Sequence, residues 1–283
     1  MKVVRSSILG FCFGVDKAIS IAEEAREKHP DKDIYTLGPL LHNKPEVERL
    51  RELNILPVDI KTHLFKKDDI AIISAHGIAP EKVQKLRDIG VLVINATCKN
   101  VERGQRKAAE MKARRLKVAI VGSPTHSEVL GLMGHAGEDA VVIDPKSPEM
   151  DVLNLGDNLG VISQTTITER EFQETAERIK EISLLAEIYD NVCPTTSARQ
   201  RAALEVANIA DVVLVIGGKN SANSNALASI CKECCEHIFL IEKTAELREV
   251  SDYFTTDKTV ALVSGASTPN WLINEIENEL LNQ

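Results

Sequence analysis

Three cysteines have the same surroundings in the sequence: Cys12, Cys98 and Cys193 each follow a segment predicted to be a β-strand. Downstream of each cysteine another predicted strand ends in glycine, and a polar residue follows that glycine by four positions, 28 to 30 residues after the cysteine. These polar residues are His42, His126 and Ser221. Thiolates bind zinc and iron–sulfur clusters, so the repeat predicts one metal centre shared by three segments.

A second polar element recurs in the same stretches, where an apolar run ends in a turn that begins with serine. The turns cover 74–77, 163–166 and 264–267. Imidazole, hydroxyl and amide groups at strand ends can hold phosphate oxygens, especially where helix N-termini add free N–H groups. A lone histidine is more often structural, but three at matched strand ends favour anion binding. The predicted anion site contains His42, His76, His126, Ser221, Asn223 and Ser267.

Glu128 lies two residues after His126, at the start of a predicted helix. A carboxylate is common there because it interacts favourably with the helix dipole. It is also a candidate proton donor, provided that burial raises its pKa. The residue types alone leave both interpretations open.

The number of repeated cysteines limits the kind of metal centre. A structural zinc site normally has four ligands, often paired as Cys-x2-Cys, and an iron–sulfur cluster normally has four cysteines. A cluster held by three cysteines leaves one iron open, which can then act as a Lewis acid. The alternative is that Cys12, Cys98 and Cys193 are thiols of the core. Their repeated positions favour ligation.

Three further cysteines, Cys231, Cys234 and Cys235, lie on a helix predicted over 225–236. They could provide two ligands of a zinc site, but no second pair accompanies them. We predict that they pack in the core.

Composition excludes several classes of protein. The chain has 283 residues, 43% of them hydrophobic, and a net charge of −8, which disfavours a nucleic-acid-binding protein. No apolar run approaches the ~18 residues that cross a bilayer. The apolar run 8–15 follows Lys2 and Arg5 and could mimic a secretory signal, but Asp16 and Lys17 end it and no cleavage site follows. We therefore expect a cytoplasmic protein without nucleic-acid or membrane partners.

Strand and helix signals alternate along the chain, which predicts parallel sheets covered by helices. Ligands of such folds bind at the carboxyl ends of the strands. We predict an α/β protein of three similar domains, with small, mostly parallel sheets around a pseudo-threefold axis that encloses a central iron–sulfur site. The predicted domains are 1–97, 98–191 and 192–283. They would contain, in order, Cys12 with His42 and His76; Cys98 with His126, Glu128 and Thr165; and Cys193 with Ser221, Asn223 and Ser267.

Short motifs along the whole chain resemble those of the 4-hydroxy-3-methylbut-2-enyl diphosphate reductase (LytB) family. In sequence order they are GFCFGVD (10–16), LHN (41–43), SAHG (74–77), ATC (96–98), HSEV (126–129), QTT (164–166), KNSANSN (219–225) and GAS (265–267), followed by Pro269.

The resemblance implies one [4Fe-4S] cluster held by Cys12, Cys98 and Cys193, with an open iron that binds the allylic hydroxyl of the substrate. The six residues of the predicted anion site would bind the diphosphate. Glu128 would donate a proton to the departing hydroxyl, with Thr165 in its hydrogen-bond network. Reduced ferredoxin or flavodoxin would supply two electrons, and the products would be isopentenyl and dimethylallyl diphosphate, in the last step of the non-mevalonate isoprenoid pathway.

Three residues depart from the family pattern. Ala222 stands where serine is usual, Lys99 where proline is usual, and Pro194 where a bulkier residue is frequent. These departures concern substrate affinity and the rigidity of the cluster loops, since no ligand and no acid is lost. Two other functions remain open: a non-redox iron–sulfur hydratase or dehydratase, and a cluster-based redox sensor.

Overall fold

The computed structural model describes residues 1–147, 155–156 and 158–282. Parallel strands and helices alternate along the described chain, and the strands form three four-stranded sheets. The chain divides into two compact units. The first unit comprises Met1–Asp16, Leu41–Leu53 and Pro194–Gln283, and the second comprises Lys17–Leu40 and Asn54–Cys193.

The first unit contains one sheet, with strand order β1-β12-β10-β11 and every pair parallel. Its strands are β1 (Lys2–Arg5), β10 (Val212–Ile216), β11 (His237–Ile241) and β12 (Thr259–Ser264). Its helices are α2 (Lys44–Glu52), α7 (Pro194–Ala207), α8 (Ala222–Cys231), the 3₁₀ helix Thr244–Tyr253 and α9 (Asn270–Leu281). Each of these strands has four to six residues, within the usual range for globular proteins.

The central strand β10 explains why this sheet is covered on both faces. All five of its residues are buried. Leu214 and Ile216 pack in one core cluster with Ile273 of α9, whereas Val213 and Val215 pack in another with Leu227 of α8. Alternate side chains of a strand point to opposite faces, so a continuous apolar run requires helices on both sides.

The second unit contains two sheets, with strand orders β3-β2-β4-β5 and β7-β6-β8-β9, again with parallel pairs throughout. The first of these sheets has β2 (Ile34–Leu37), β3 (Ile55–Val58), β4 (Ile70–Ile73) and β5 (Leu92–Asn95). The second has β6 (Lys117–Val121), β7 (Val141–Ile143), β8 (Leu159–Ser163) and β9 (Glu187–Tyr189). The helices that accompany them are α1 (Phe13–Lys28), α3 (Pro80–Ile89), α4 (Lys99–Ala113), α5 (Ser127–Ala136) and α6 (Glu169–Ile182).

Three small parallel sheets with covering helices confirm the predicted α/β class. The division into 1–97, 98–191 and 192–283 stays a prediction. Each sheet takes its strands from one of these segments with one exception, since β1 pairs with β12 at the other end of the chain. The cysteine that follows β1 therefore lies at the end of the sheet formed by the last third of the sequence. No helix in the described parts of the chain is long and apolar enough to cross a membrane.

The predicted helix over 225–236 is wrong at both ends, because α8 covers Ala222–Cys231. Cys231 and Cys235 are buried in the core cluster against β10, as predicted. Cys234 is exposed, which corrects its assignment to the core. It lies in the turn after the helix, where the side chain is no longer on the buried helix face.

Candidate functional site

Each of the three repeated cysteines lies directly before a helix, since α1, α4 and α7 begin at the next residue. None of the three forms a disulfide among the described residues, and all three are of intermediate exposure. Their backbone N–H groups make the same contact, each donating to a carbonyl of a turn that begins with serine. The pairs are Cys12 to Ala266 at 2.9 Å, Cys98 to Ala75 at 3.0 Å and Cys193 to Thr165 at 2.9 Å. The cysteine repeat of the sequence is therefore also a repeat of backbone structure.

These contacts change how cysteines and turns are grouped. Reading along the sequence assigns each turn to the cysteine before it, as with the turn 74–77 and Cys12. The hydrogen bonds instead join the turn 74–77 to Cys98 and the turn 163–166 to Cys193. In a parallel sheet, neighbouring strands end at the same edge, so a turn after one strand meets the residue after its neighbour.

In the second unit, the side chain of Asn100 donates from Nδ2 to the Sγ of Cys193 at 3.1 Å. Asn100 lies in the first turn of α4, two residues after Cys98. Hydrogen bonds to ligand sulfurs stabilise their negative charge and tune the potential of an iron–sulfur cluster. Sequence reasoning missed Asn100, although its place beside a candidate ligand was a usable signal.

Glu128 lies at the start of α5 and is only 1% exposed. Its Oε1 accepts from the backbone N–H of Thr165 at 2.7 Å, and its Oε2 accepts from the hydroxyl of Thr165 at 2.8 Å. Burial raises the pKa of Glu128 to about 7, although both hydrogen bonds from Thr165 act to lower it. A substantial fraction of the carboxyl groups is therefore protonated near neutral pH, the form in which the group can donate a proton.

His126 caps the N-terminus of α5, where its Nδ1 accepts from the backbone N–H of Glu128 at 3.2 Å. A neutral imidazole whose Nδ1 accepts a hydrogen bond carries its proton on Nε2. His76 lies beside it, with ring centroids 5.3 Å apart and planes nearly perpendicular. Both histidines, Glu128 and Thr165 thus belong to the second unit, together with Cys98 and Cys193.

The first unit contains the other predicted site residues: Cys12, His42, Ser221, Asn223 and Ser267. Burial lowers the pKa of His42, which favours its neutral form. Its backbone carbonyl packs so closely on Gly218 that a side-chain carbon at Gly218 would overlap it. No local pattern in the sequence indicates this requirement for glycine at position 218, which keeps the loop of His42 beside the loop after β10.

The N-terminus of α8 presents two of these residues. Ser221 is its N-cap and accepts from the backbone N–H of Ser224 at 3.3 Å. Asn223 is 4% exposed, and both polar atoms of its amide lack a hydrogen-bond partner among the described residues. A buried amide without partners costs free energy, which makes Asn223 a candidate for hydrogen bonding to a ligand.

We expect Asn223→Ala to separate stability from binding. Removing an unsatisfied buried amide should leave the free energy of unfolding unchanged or raise it by up to about 1 kcal/mol. The loss of its bonds to a charged ligand should raise KM roughly tenfold or more. Thermal unfolding and steady-state kinetics measure the two effects. A variant that melts at a lower temperature but keeps the wild-type KM would contradict this interpretation of Asn223.

Asn225→Ala is the matched control for the effect of Asn223→Ala on stability. The Asn225 amide donates to the carbonyls of Lys219 and Ser221 at 2.8 and 2.9 Å. Its removal breaks satisfied hydrogen bonds and should therefore lower the free energy of unfolding.

Comparison with known proteins gives the family of the chain. The model of the LytB protein family matches residues 3–281. Two similar proteins are both named 4-hydroxy-3-methylbut-2-enyl diphosphate reductase. The protein of Clostridium perfringens (strain 13 / Type A) is 35% identical over 279 residues, 98% of each chain. The protein of Aquifex aeolicus (strain VF5) is 35% identical over 281 residues, 98% of this chain and 95% of its own length.

Solved structures agree with this relationship. A structure of (E)-4-hydroxy-3-methyl-but-2-enyl diphosphate reductase, described as the terminal enzyme of the non-mevalonate pathway, aligns over 100% of both chains with a TM-score of 0.73 and 33% identity. The corresponding reductase of Plasmodium falciparum aligns over 98% of this chain and 87% of its own, with a TM-score of 0.88. At 23% identity, that second likeness supports the fold alone. Sequence and structure together assign the chain to the LytB protein family.

Proposed function

We propose that this protein reduces 4-hydroxy-3-methylbut-2-enyl diphosphate to isopentenyl and dimethylallyl diphosphate, the last step of the non-mevalonate isoprenoid pathway. The reaction breaks the allylic C–O bond, takes up two electrons and two protons, and releases water. The proposal depends most on Glu128, a buried carboxyl group with a pKa raised to about 7 in the unit that also contains two candidate ligands. The names of the similar proteins support the same reaction.

The residues present fit an iron–sulfur cofactor. We propose one [4Fe-4S] cluster held by Cys12, Cys98 and Cys193 with one iron open. Within the described residues none of the three thiols forms a disulfide, and all three share one backbone environment. Asn100 donates a hydrogen bond to the sulfur of Cys193. When bound, the cluster supplies electrons and a Lewis-acidic iron.

Glu128 delivers a proton to the departing hydroxyl of the substrate. Its protonated carboxyl group is available at neutral pH because burial disfavours the charged form. Thr165 fixes the carboxyl group by donating from both its backbone N–H and its hydroxyl. An acid held in one orientation needs little reorganisation when the C–O bond breaks.

His42, His76, His126, Ser221, Asn223 and Ser267 bind the diphosphate. Because the Nδ1 of His126 accepts a backbone hydrogen bond, the neutral ring carries its proton on Nε2, which is a donor that can bind a phosphate oxygen. The amide of Asn223 and the first N–H groups of α8 add uncharged donors. Binding of the diphosphate, which is remote from the reacting bond, supplies energy that positions the hydroxyl.

We further propose that the predicted segments 1–97, 98–191 and 192–283 are three similar domains around a pseudo-threefold axis, with the cluster at the centre. Electrons would come from reduced ferredoxin or flavodoxin, and the protein would act in the cytoplasm. No dinucleotide fingerprint of the Gly-x-Gly-x-x-Gly type occurs in the sequence, in agreement with an external electron donor.

Turnover with and without a reductant tests this function. Anaerobically purified protein should contain iron and sulfide and should convert 4-hydroxy-3-methylbut-2-enyl diphosphate only when a reductant such as dithionite with a mediator dye is present. Product formed without reductant would contradict the reductase and indicate a hydratase or dehydratase. A cluster-containing protein that converts no substrate under reduction would indicate a redox sensor.

The pH dependence of kcat/KM tests the state of Glu128. The raised pKa keeps the proton on the carboxyl group up to about pH 7, and the charged form predominates above it. We therefore expect kcat/KM to fall about tenfold per pH unit above that value. In Glu128→Gln, kcat/KM should not fall above pH 7. A fall caused by titration of the substrate would remain in this variant, so the comparison distinguishes the two causes. A rate that rises from pH 7 to pH 9 would exclude Glu128 as the acid.

A further inference from the structure

Arg199 is the one arginine or lysine that is buried in the described parts of the chain, with a relative exposure of 1%. It lies on α7, and its guanidinium donates from Nη1 to the carbonyl and hydroxyl oxygens of Ser264 at 3.0 and 3.2 Å. Two further bonds reach the carbonyls of Ile8 at 3.3 Å and Gly10 at 2.9 Å. Arg199 therefore contacts the loop that leads from β1 to Cys12.

All these acceptors are uncharged. No ion pair joins Arg199 to a carboxylate within the described ranges, and its Nε has no hydrogen-bond partner there. A buried charge without a counter-charge costs several kcal/mol. Burial lowers the pKa of Arg199, and the proximity of Cys12 acts in the opposite direction.

The same loop is fixed from its other side. The backbone N–H of Gly10 donates to the hydroxyl of Ser264 at 2.9 Å, and that of Cys12 donates to the carbonyl of Ala266 at 2.9 Å. Gly10 has a φ of 79°, a conformation that glycine adopts without strain. Arg199 and the turn 264–267 thus hold the loop that ends at Cys12, and the Arg199 guanidinium lies 2.9 Å from the carbonyl of Gly10, two residues before that cysteine.

We propose that Arg199 is a positioning residue that raises the reduction potential of the cluster through its buried charge beside the loop that ends at Cys12. Reduction adds negative charge to the metal centre, and a cation in a medium of low dielectric stabilises that added charge strongly. The proposal depends on the proposed function, in which Cys12 is a cluster ligand. It assigns Arg199 no contact with substrate.

A redox titration of the cluster in three variants tests the proposal. Arg199→Gln removes the charge, Arg199→Lys retains it with fewer donors, and Arg201→Gln removes an exposed charge from the same helix. The midpoint potential, followed by electron paramagnetic resonance during mediated titration, should shift to more negative values in Arg199→Gln. In Arg199→Lys the midpoint potential should lie close to the wild-type value, and in Arg201→Gln it should equal that value.

Salt dependence identifies the source of the shift. A buried charge is screened little, so the difference between Arg199→Gln and wild type should be the same at low and high ionic strength. A wild-type potential in Arg199→Gln would overturn the proposal. If that variant does not fold or retain cluster, a large negative shift in Arg199→Lys would overturn it instead. A wild-type protein that binds no cluster would refute the proposed function itself, so the two failures are distinguishable.

Discussion

Glu128→Gln is expected to lower turnover by a factor of about 10²–10⁴ while the cluster remains intact. The glutamine amide has nearly the same shape as the carboxyl group. Its oxygen can still accept a hydrogen bond from the backbone N–H of Thr165, which lies 2.7 Å from Glu128 Oε1 in the wild-type protein. It cannot transfer a proton to the departing hydroxyl. The cluster is checked by iron and sulfide content and by the visible spectrum. The loss of turnover is measured by single-turnover rates.

The same variant should also differ from wild type in how its stability depends on pH. Because the pKa of Glu128 is raised, the stability that its protonated form contributes is fully present below about pH 4.5 and is lost as pH rises through about 7. Glu128→Gln removes this loss, so its melting temperature should depend less on pH between 5 and 8. The exposed carboxylate Glu138, just beyond the end of α5, gives the matched control Glu138→Gln, which should leave rate and stability unchanged. Wild-type turnover in Glu128→Gln would remove this residue from the mechanism.

Cys98→Ser is expected to lose both the cluster and the activity. Cys98 is the N-cap residue of α4, and serine is a favourable residue there, so the local backbone should be retained. The hydroxyl is a poor ligand for iron compared with the thiolate. Iron content should fall well below the wild-type value and reductant-dependent turnover should fall to background.

Cys234→Ser is the control for this variant. Cys234 is the exposed free cysteine that follows α8, remote in sequence from the repeated motif. Its replacement should leave iron content and turnover unchanged. A Cys98→Ser protein with a full complement of iron and sulfide would refute the ligand assignment.

The central strands β10 and β4 were predictable from the sequence because they are buried on both faces. Val212–Ile216 and Ile70–Ile73 are continuous apolar runs, and such runs between helical segments are typical of parallel sheets. The edge strand β3 (Ile55–Val58) could not be predicted in the same way, since it contains Pro57 and proline usually argues against a strand. Edge strands tolerate proline because one side of the strand forms no ladder.

The candidate site was predictable where one residue type repeats at one kind of position. The cysteines precede helices and the polar turns end strands, so local patterns located both. Which turn meets which cysteine depends on strand order, and the pairing of β1 with β12 has no local signal in the sequence. The burial of Arg199 also has no local signal in the sequence. Its contact with the loop of Gly10 joins residues that are 189 positions apart.

The central claim is that three thiolates hold a cluster whose fourth iron is open to substrate. Mössbauer spectroscopy of protein loaded with ⁵⁷Fe, recorded with and without 4-hydroxy-3-methylbut-2-enyl diphosphate, tests it most directly. We predict that one iron in four differs from the other three and that its isomer shift and quadrupole splitting change when substrate is added. Four equivalent irons with parameters that substrate does not change would contradict the claim.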